Sequence, residues 1–129
     1  MLDLELLTDE YAVCRLPGGS ALPASLTSGP DDKNVISVTW APDEVSIICP
    51  SDRVPPGATV EAAWRCLRVA GQVDLALTGF LASLVQPLAD ARVNIVAFST
   101  YDTDYVLVPR VRLAEAVATL TAAGHRVAA

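Results

Sequence analysis

The feature that most constrains this chain is a pair of strand-like runs joined by a polar turn, between residues 93 and 108. Apolar side chains recur at alternate positions from Val93 to Phe98, and Tyr105 to Val108 is an apolar run rich in β-branched residues. Both patterns are typical of β-strands, so we predict two adjacent strands. The segment from Ser99 to Asp104 then has to connect them.

This connection is unusually polar, because all six of its residues carry hydrogen-bonding side chains. Polar residues at strand ends are common, so a well-capped hairpin is one interpretation. The other is a small polar ligand site at the edge of a sheet. The candidate site residues in this turn are Ser99, Thr100, Tyr101, Asp102 and Asp104.

Helical periodicity flanks this hairpin on both sides. The apolar residues that recur at three- and four-residue spacing before it are Leu81, Leu84, Val85 and Leu88. Thr78 can cap this helix, and Pro87 interrupts it late. After the hairpin, the alanine-rich segment from Leu113 to Leu120 predicts a second amphipathic helix, which Gly124 ends.

The order of the predicted elements identifies a fold class. A strand at 64–69 precedes the first helix, and a short strand at 125–127 follows the second. The order is therefore β-α-β-β-α-β, the ferredoxin-like plan, an α+β fold in which two helices cover one face of an antiparallel sheet.

The first part of the chain resembles a degenerate copy of this module. We predict strands at 2–7 and 11–16, separated by Thr8-Asp9-Glu10, and a hairpin formed by 35–40 and 45–49. The segment 50–59 is rich in proline and glycine, which favours a connector. We therefore predict two tandem halves, 1–58 and 59–129.

The composition excludes several kinds of partner. The net charge is −6 and the nine basic residues are scattered, so we expect no nucleic-acid partner. Apolar stretches end well short of the roughly 20 residues that span a bilayer, and the first residues lack the pattern of a secretion signal, so we expect no membrane partner.

The three cysteines, Cys14, Cys49 and Cys66, lack CxxC spacing and lie in apolar, strand-like runs. A free cysteine in such a run behaves as a small hydrophobic residue. We therefore expect a reducing, cytoplasmic environment and neither a zinc site nor a disulfide framework. We also expect no other metal and no cofactor.

Several segments closely resemble the paired ACT-domain family, which occurs in bacteria and in the animal cytosolic arginine sensors that regulate mTOR signalling. The segments are Trp64, the glycine-led helix with Pro87-Leu88-Ala89, the run from Ser99 to Val108, and Glu44 to Cys49 of the first half. The resemblance covers nearly the whole chain.

This resemblance implies a small-molecule sensor, since ACT domains typically bind amino acids at interfaces between modules. In the arginine sensors the ligand is held at the first helix and at the turn after the second strand. The corresponding positions fall near Thr78, Gly79, Ser83 and Leu84, and on Thr100, Tyr101 and Asp104. Those sensors contain four ACT modules, so the resemblance implies that this shorter chain forms a homo-oligomer.

The chemistry of these residues also favours an amino acid ligand. Free backbone N–H groups at a helix start near Gly79 and Phe80 suit a carboxylate, and Asp102 or Asp104 can neutralise an ammonium group. Each residue also has a structural interpretation: Gly79 starts a helix, Asp102 closes a turn and Tyr101 packs on a neighbour.

Two other function classes are possible. An enzyme would use Asp102 and Asp104 as a carboxylate pair, but the turn contains no histidine, cysteine or lysine, so we expect no catalysis. His125 lies at a helix end, where we predict that it caps exposed carbonyls. The alternative to a sensor is a structural module that oligomerises through its sheet edges without a ligand.

Overall fold

The computed structural model describes residues 2–31, 33–71 and 79–128. The strands are β1 (Asp3–Pro17), β2 (Ser37–Trp40), β3 (Glu44–Pro50), β4 (Thr59–Val69), β5 (Val96–Ser99), β6 (Asp104–Pro109) and β7 (Arg126–Ala128). The α-helices are α1 (Phe80–Asp90) and α2 (Leu113–Ala122). Short 3-10 turns occupy Ala24–Leu26, Ser51–Arg53 and Arg110–Arg112.

The chain forms two compact units. The N-terminal unit is Thr8–Trp64, and the C-terminal unit combines Met1–Leu7 with the described residues of Arg65–Ala129. The first seven residues therefore belong to the C-terminal unit, although they precede the N-terminal unit in the chain. The division of the chain into two tandem halves, 1–58 and 59–129, stays a prediction.

The C-terminal unit confirms the predicted α+β, ferredoxin-like plan. Its elements follow one another as β4-α1-β5-β6-α2-β7, which is the β-α-β-β-α-β order. The predicted hairpin is present, since β5 and β6 pair antiparallel with Phe98 opposite Tyr105. The core residues are Leu4, Leu67, Val69, Leu84, Leu88, Val93, Val106, Val108, Ala116 and Leu120.

The start of β1 lies between two strands of this unit, which the sequence did not indicate. Asp3 is opposite Arg126 in a parallel pairing with β7. The Asp3 carbonyl also accepts a hydrogen bond from the Ala70 N–H at 2.8 Å, just beyond the end of β4. Within the C-terminal unit the strand order is therefore β7-β1-β4-β6-β5.

The N-terminal unit has strand order β2-β3-β1, with both pairings antiparallel. The predicted hairpin at 35–40 and 45–49 is confirmed as β2 and β3. Its buried core residues are Ala12, Cys14, Leu26, Val45, Ile47 and Cys49.

The prediction of two strands at 2–7 and 11–16 is wrong, because β1 runs without interruption from Asp3 to Pro17. Thr8-Asp9-Glu10 contains neither glycine nor proline, so nothing in it prevents extended backbone from continuing. Polar side chains alone do not end a strand.

The strand predicted at 64–69 begins earlier, at Thr59. Its first four residues are all exposed, so no burial pattern marks them in the sequence. Ala63 has a φ of 67°, in the left-handed region that side chains other than glycine adopt only at a cost. This irregular residue immediately precedes the part of β4 that has the expected alternation.

Both helices end in the same hydrogen-bonding pattern, the Schellman motif. At the end of α1, the Val93 N–H donates to the Leu88 carbonyl at 2.9 Å, and Arg92 has a φ of 60°. At the end of α2, the His125 N–H donates to the Leu120 carbonyl at 3.0 Å, and Gly124 has a φ of 98°. The predicted stop at Gly124 is confirmed.

Candidate functional site

The β5–β6 turn is shorter and more ordered than the sequence suggests. Ser99 and Asp104 are opposite each other as the last pair of the ladder, so the connection is only residues 100–103. The Thr100 N–H donates to the Thr103 carbonyl at 2.9 Å. The Ser99 hydroxyl donates to the Asp104 carboxylate. Two of the candidate residues are thus directly bonded across the hairpin.

Thr103, which was not among the candidate residues, attaches this turn to the sheet. Its side chain is 3% exposed, and its hydroxyl donates to the Val69 carbonyl at 2.8 Å. Val69 is the last residue of β4, from which the chain continues towards α1. The turn therefore lies at the C-terminal end of β4.

The start of α1 has a glycine in the N-cap position. Gly79 has a φ of 87°, and no side chain among the described residues caps the first turn. The Ser83 hydroxyl donates to the Phe80 carbonyl at 2.7 Å, and the Ser83 N–H donates to the Gly79 carbonyl at 3.0 Å. Thr78, the predicted cap and candidate ligand residue, lies outside the described residues.

The candidate residues differ greatly in accessibility. Tyr101 is 79% exposed at the tip of the turn, whereas Leu84 is 3% exposed and packs in the core. Asp104 is half-buried and Asp102 is exposed. The hydrogen bonds group Ser99 with Asp104 and, separately, Phe80 with Ser83. Assignment of these residues to one ligand site stays a prediction.

An aromatic pair lies beside the turn. The rings of Phe98 and Tyr105 are stacked with centroids 4.9 Å apart and planes 4° from parallel. Such a pair stabilises the hairpin by about 0.5–1.5 kcal/mol beyond the area it buries. The pair is next to the Ser99–Asp104 pair in the ladder and supports the same register of β5 and β6.

His125 is placed differently from the prediction. It is 4% exposed, its Nδ1 accepts a hydrogen bond from the Leu2 N–H at 3.0 Å, and its Nε2 lies 2.9 Å from the Ser83 carbonyl oxygen. The predicted capping of carbonyls at the end of its own helix is wrong for the side chain, because the ring bonds Ser83 in the first turns of α1. At the end of α2 it is the backbone N–H of His125 that bonds the Leu120 carbonyl. Sequence pattern does not reveal this contact, since residues 83 and 125 are far apart in the chain.

The three cysteines are buried and unpaired, as the sequence predicted. Burial raises the pKa of both Cys49 and Cys66 to about 12, so these thiols are protonated at neutral pH. Among the described residues, no group of three or more histidine, cysteine or acidic side chains could hold a metal ion. Within the same residues, no helix is long and apolar enough to cross a membrane.

Comparison with protein families identifies both parts of the chain. A family model described as an ACT domain matches residues 59–122. A second model, described as an N-terminal domain, matches residues 9–57. Comparison with the curated proteins found no match.

Similar solved structures cover nearly the whole chain. A protein of Agrobacterium tumefaciens is 31% identical with a TM-score of 0.88, over 98% of this chain and 92% of that one. A Vibrio cholerae protein of unknown function, described as a possible transport protein, is 20% identical with a TM-score of 0.74, over 95% and 89%. The regulatory subunit of aspartate kinase from Thermus thermophilus is 14% identical with a TM-score of 0.64, over 94% and 97%.

The similarities to the Vibrio cholerae and Thermus thermophilus proteins concern the fold alone, because the sequence identities are only 20% and 14%. The Agrobacterium tumefaciens protein combines 31% identity with nearly complete coverage of both chains. Together with the family match and the β-α-β-β-α-β order of the C-terminal unit, they lead to one conclusion. The chain belongs to the ACT-domain family.

Proposed function

We propose that this protein is a non-catalytic regulatory protein that binds a free amino acid at one end of the C-terminal unit. The ligand would lie between the start of α1 and the β5–β6 turn. The observation that supports this is the bond from Thr103 to the Val69 carbonyl, because it holds an acidic turn at the C-terminal end of β4, the strand that precedes α1 in the chain.

The chemistry of the two elements is complementary to a zwitterion. The first N–H groups of α1 carry partial positive charge and have no side-chain cap within the described part of the chain, so they suit a carboxylate. Asp104, together with Asp102, supplies negative charge for an ammonium group. An amino acid carries both groups on one carbon, which a phosphate or a sugar does not.

The similar structures support a regulatory role. The Thermus thermophilus protein is a regulatory subunit of aspartate kinase, and it has the same fold over almost its whole length. We extend the regulatory role, though not the identity of the ligand, to this chain. The resemblance to the arginine sensors, the cytoplasmic location and the assembly into a homo-oligomer are parts of the same proposal.

The test is a thermal-shift screen against the twenty standard amino acids. A ligand that binds only the folded state raises the melting temperature in proportion to the logarithm of its concentration. Asp104→Asn keeps an acceptor for the Ser99 hydroxyl and removes the charge, so it should abolish the shift at little cost in stability. Ser99→Ala is the complementary variant, because it removes this hydrogen bond and leaves the charge. A screen in which no amino acid shifts the melting temperature would refute the proposal.

A structural module without a ligand is the second candidate. Among the described strands, β5 pairs only with β6, so its outer edge is available to another chain. Val111, in the same unit, is 81% exposed. Light scattering would then show a homo-oligomer whose mass is the same with and without amino acids, whereas a monomer at high micromolar concentration would exclude this candidate.

A further inference from the structure

Pro87 leaves one carbonyl of α1 without its helical hydrogen bond. In an α-helix the carbonyl of residue i accepts from the N–H of residue i+4, and proline has no N–H. Pro87 lies inside α1, which continues to Asp90. The carbonyl four residues earlier is that of Ser83, and a buried carbonyl without a donor is costly.

His125 supplies the missing donor. Its Nε2 is 2.9 Å from the Ser83 carbonyl oxygen, and its Nδ1 is 3.0 Å from the Leu2 backbone nitrogen. A backbone N–H can only donate, so Nδ1 has to be the acceptor and to carry no proton. The ring proton is therefore on Nε2, where it points at Ser83. The bond to Leu2 selects the tautomer that the bond to Ser83 requires.

The imidazole is itself held firmly. The backbone N–H of His125 donates to the Leu120 carbonyl at 3.0 Å, in the Schellman motif that ends α2. The next residue, Arg126, donates its N–H to the Leu2 carbonyl at 2.9 Å, so Leu2 is bonded to this segment through both of its backbone groups. His125 is only 4% exposed, and its ring nitrogens reach Leu2, the residue before β1, on one side and Ser83 in the first turns of α1 on the other.

We propose that His125 is a positioning residue for the ligand site, which acts by replacing the hydrogen bond that Pro87 removes from α1. It fixes the part of α1 between Gly79 and Ser83, whose N–H groups would bind the ligand carboxylate. This inference rests on the proposed function for its ligand, while the hydrogen-bond substitution between Pro87 and His125 stands on the geometry alone.

A double-mutant cycle tests, without any ligand, whether His125 replaces the hydrogen bond that Pro87 removes. His125→Asn places its amide near the Nδ1 position and cannot reach Ser83, so it should lower the melting temperature. Pro87→Ala restores an N–H at position 87 that can bond the Ser83 carbonyl. In the Pro87→Ala background, we expect the loss caused by His125→Asn to fall to half or less. Equal losses in both backgrounds would overturn the inference. Thr103→Val is the control, since its effect should be the same in both backgrounds.

The tautomer gives a second, spectroscopic test. His125 is the only histidine of the chain, so its ring nitrogens can be assigned without ambiguity by nitrogen NMR at neutral pH. We expect the shifts of a neutral ring with its proton on Nε2. A ring with its proton on Nδ1 would overturn the inference.

The positioning role is then tested with the same twenty amino acids. His125→Gln carries its amide near the Nε2 position and can bond Ser83, so it should keep the ligand-induced thermal shift that His125→Asn loses. Adding Pro87→Ala to His125→Asn should restore the shift. If His125→Gln and His125→Asn both keep the full ligand-induced thermal shift, the role of His125 is structural only. If the native protein shows no shift at all, the proposed function and the ligand part of this inference both fail, whereas the double-mutant cycle still decides the hydrogen-bond substitution.

Discussion

The Thr103 hydroxyl offers a direct test of how the β5–β6 turn is held. Thr103→Val keeps the shape of the side chain and removes the donor to the Val69 carbonyl, which is 2.8 Å away. Because the residue is 3% exposed, water cannot easily replace the lost bond. An unsatisfied buried acceptor costs about 1–3 kcal/mol. The substituted methyl group regains part of this by burial, so we expect a net loss of about 1.5 kcal/mol.

The loss is measurable by urea denaturation and by thermal unfolding. For a chain of this size, about 1.5 kcal/mol lowers the melting temperature by roughly 4–8 °C. The slope of the free energy of unfolding against urea should not change, because the surface exposed on unfolding is the same. Thr103→Ser, which keeps the hydroxyl, should recover the hydrogen bond and lose only the burial of one methyl group.

Thr100→Val is the matched control, since Thr100 is exposed and its hydroxyl is 3.4 Å from the Thr103 carbonyl. Surface substitutions of this kind usually change stability by less than about 0.5 kcal/mol. If Thr103→Val were no more destabilising than Thr100→Val, the turn would not depend on the buried bond, and the argument that places the acidic turn at this end of the sheet would fail.

Three further predictions concern the rest of the chain. At the helix ends, Arg92→Gly should raise the free energy of unfolding by up to about 1 kcal/mol and Gly124→Ala should lower it by about 1 kcal/mol in urea melts, because both positions have positive φ. Ala63→Gly should be neutral or stabilising despite lying in a strand, whereas a loss above about 1 kcal/mol would show that the left-handed backbone carries no strain. Cys49 and Cys66 should resist alkylation at pH 8 until denaturant is added. Since burial raises their pKa values to about 12, the folded state retains protons that the unfolded chain releases from about pH 8.5, so stability should fall as pH rises from there.

Local sequence patterns predicted most of the secondary structure of the C-terminal unit. The alternation before Ser99 and the three- and four-residue spacing in α1 predicted the type of each element, with errors of a few residues at its ends. Of the leucines in α1, Leu84 and Leu88 are buried as the spacing predicts, whereas Leu81 is 38% exposed. The errors occurred where pattern carries no such information. The first residues of β4 are exposed on both faces, and polar residues in the middle of β1 resemble a turn.

The contacts at the candidate site were less predictable. Thr103 looked like one more polar residue in a polar turn, and only the fold shows that it is buried against Val69. His125 bonds residues 42 and 123 positions away in the sequence. Pro87 was the available signal, because a proline inside a helix always leaves a carbonyl that needs another donor. The sequence does not say which side chain supplies that donor, because His125 reaches Ser83 only through the fold.

The pairing of Asp3 with Arg126 sets a condition on the order of folding. In the chain, β1 precedes the other described strands of the C-terminal unit and its parallel neighbour β7 follows them, so the sheet has to wait for β7 before it is complete. The Leu2 N–H that accompanies this pairing reaches His125 across 123 positions. During synthesis, the early strand therefore has no β7 to pair with, and closing so long a loop slows folding. A fragment that begins at residue 59 lacks that strand altogether, and would expose the edges of β4 and β7 that β1 covers in the whole chain.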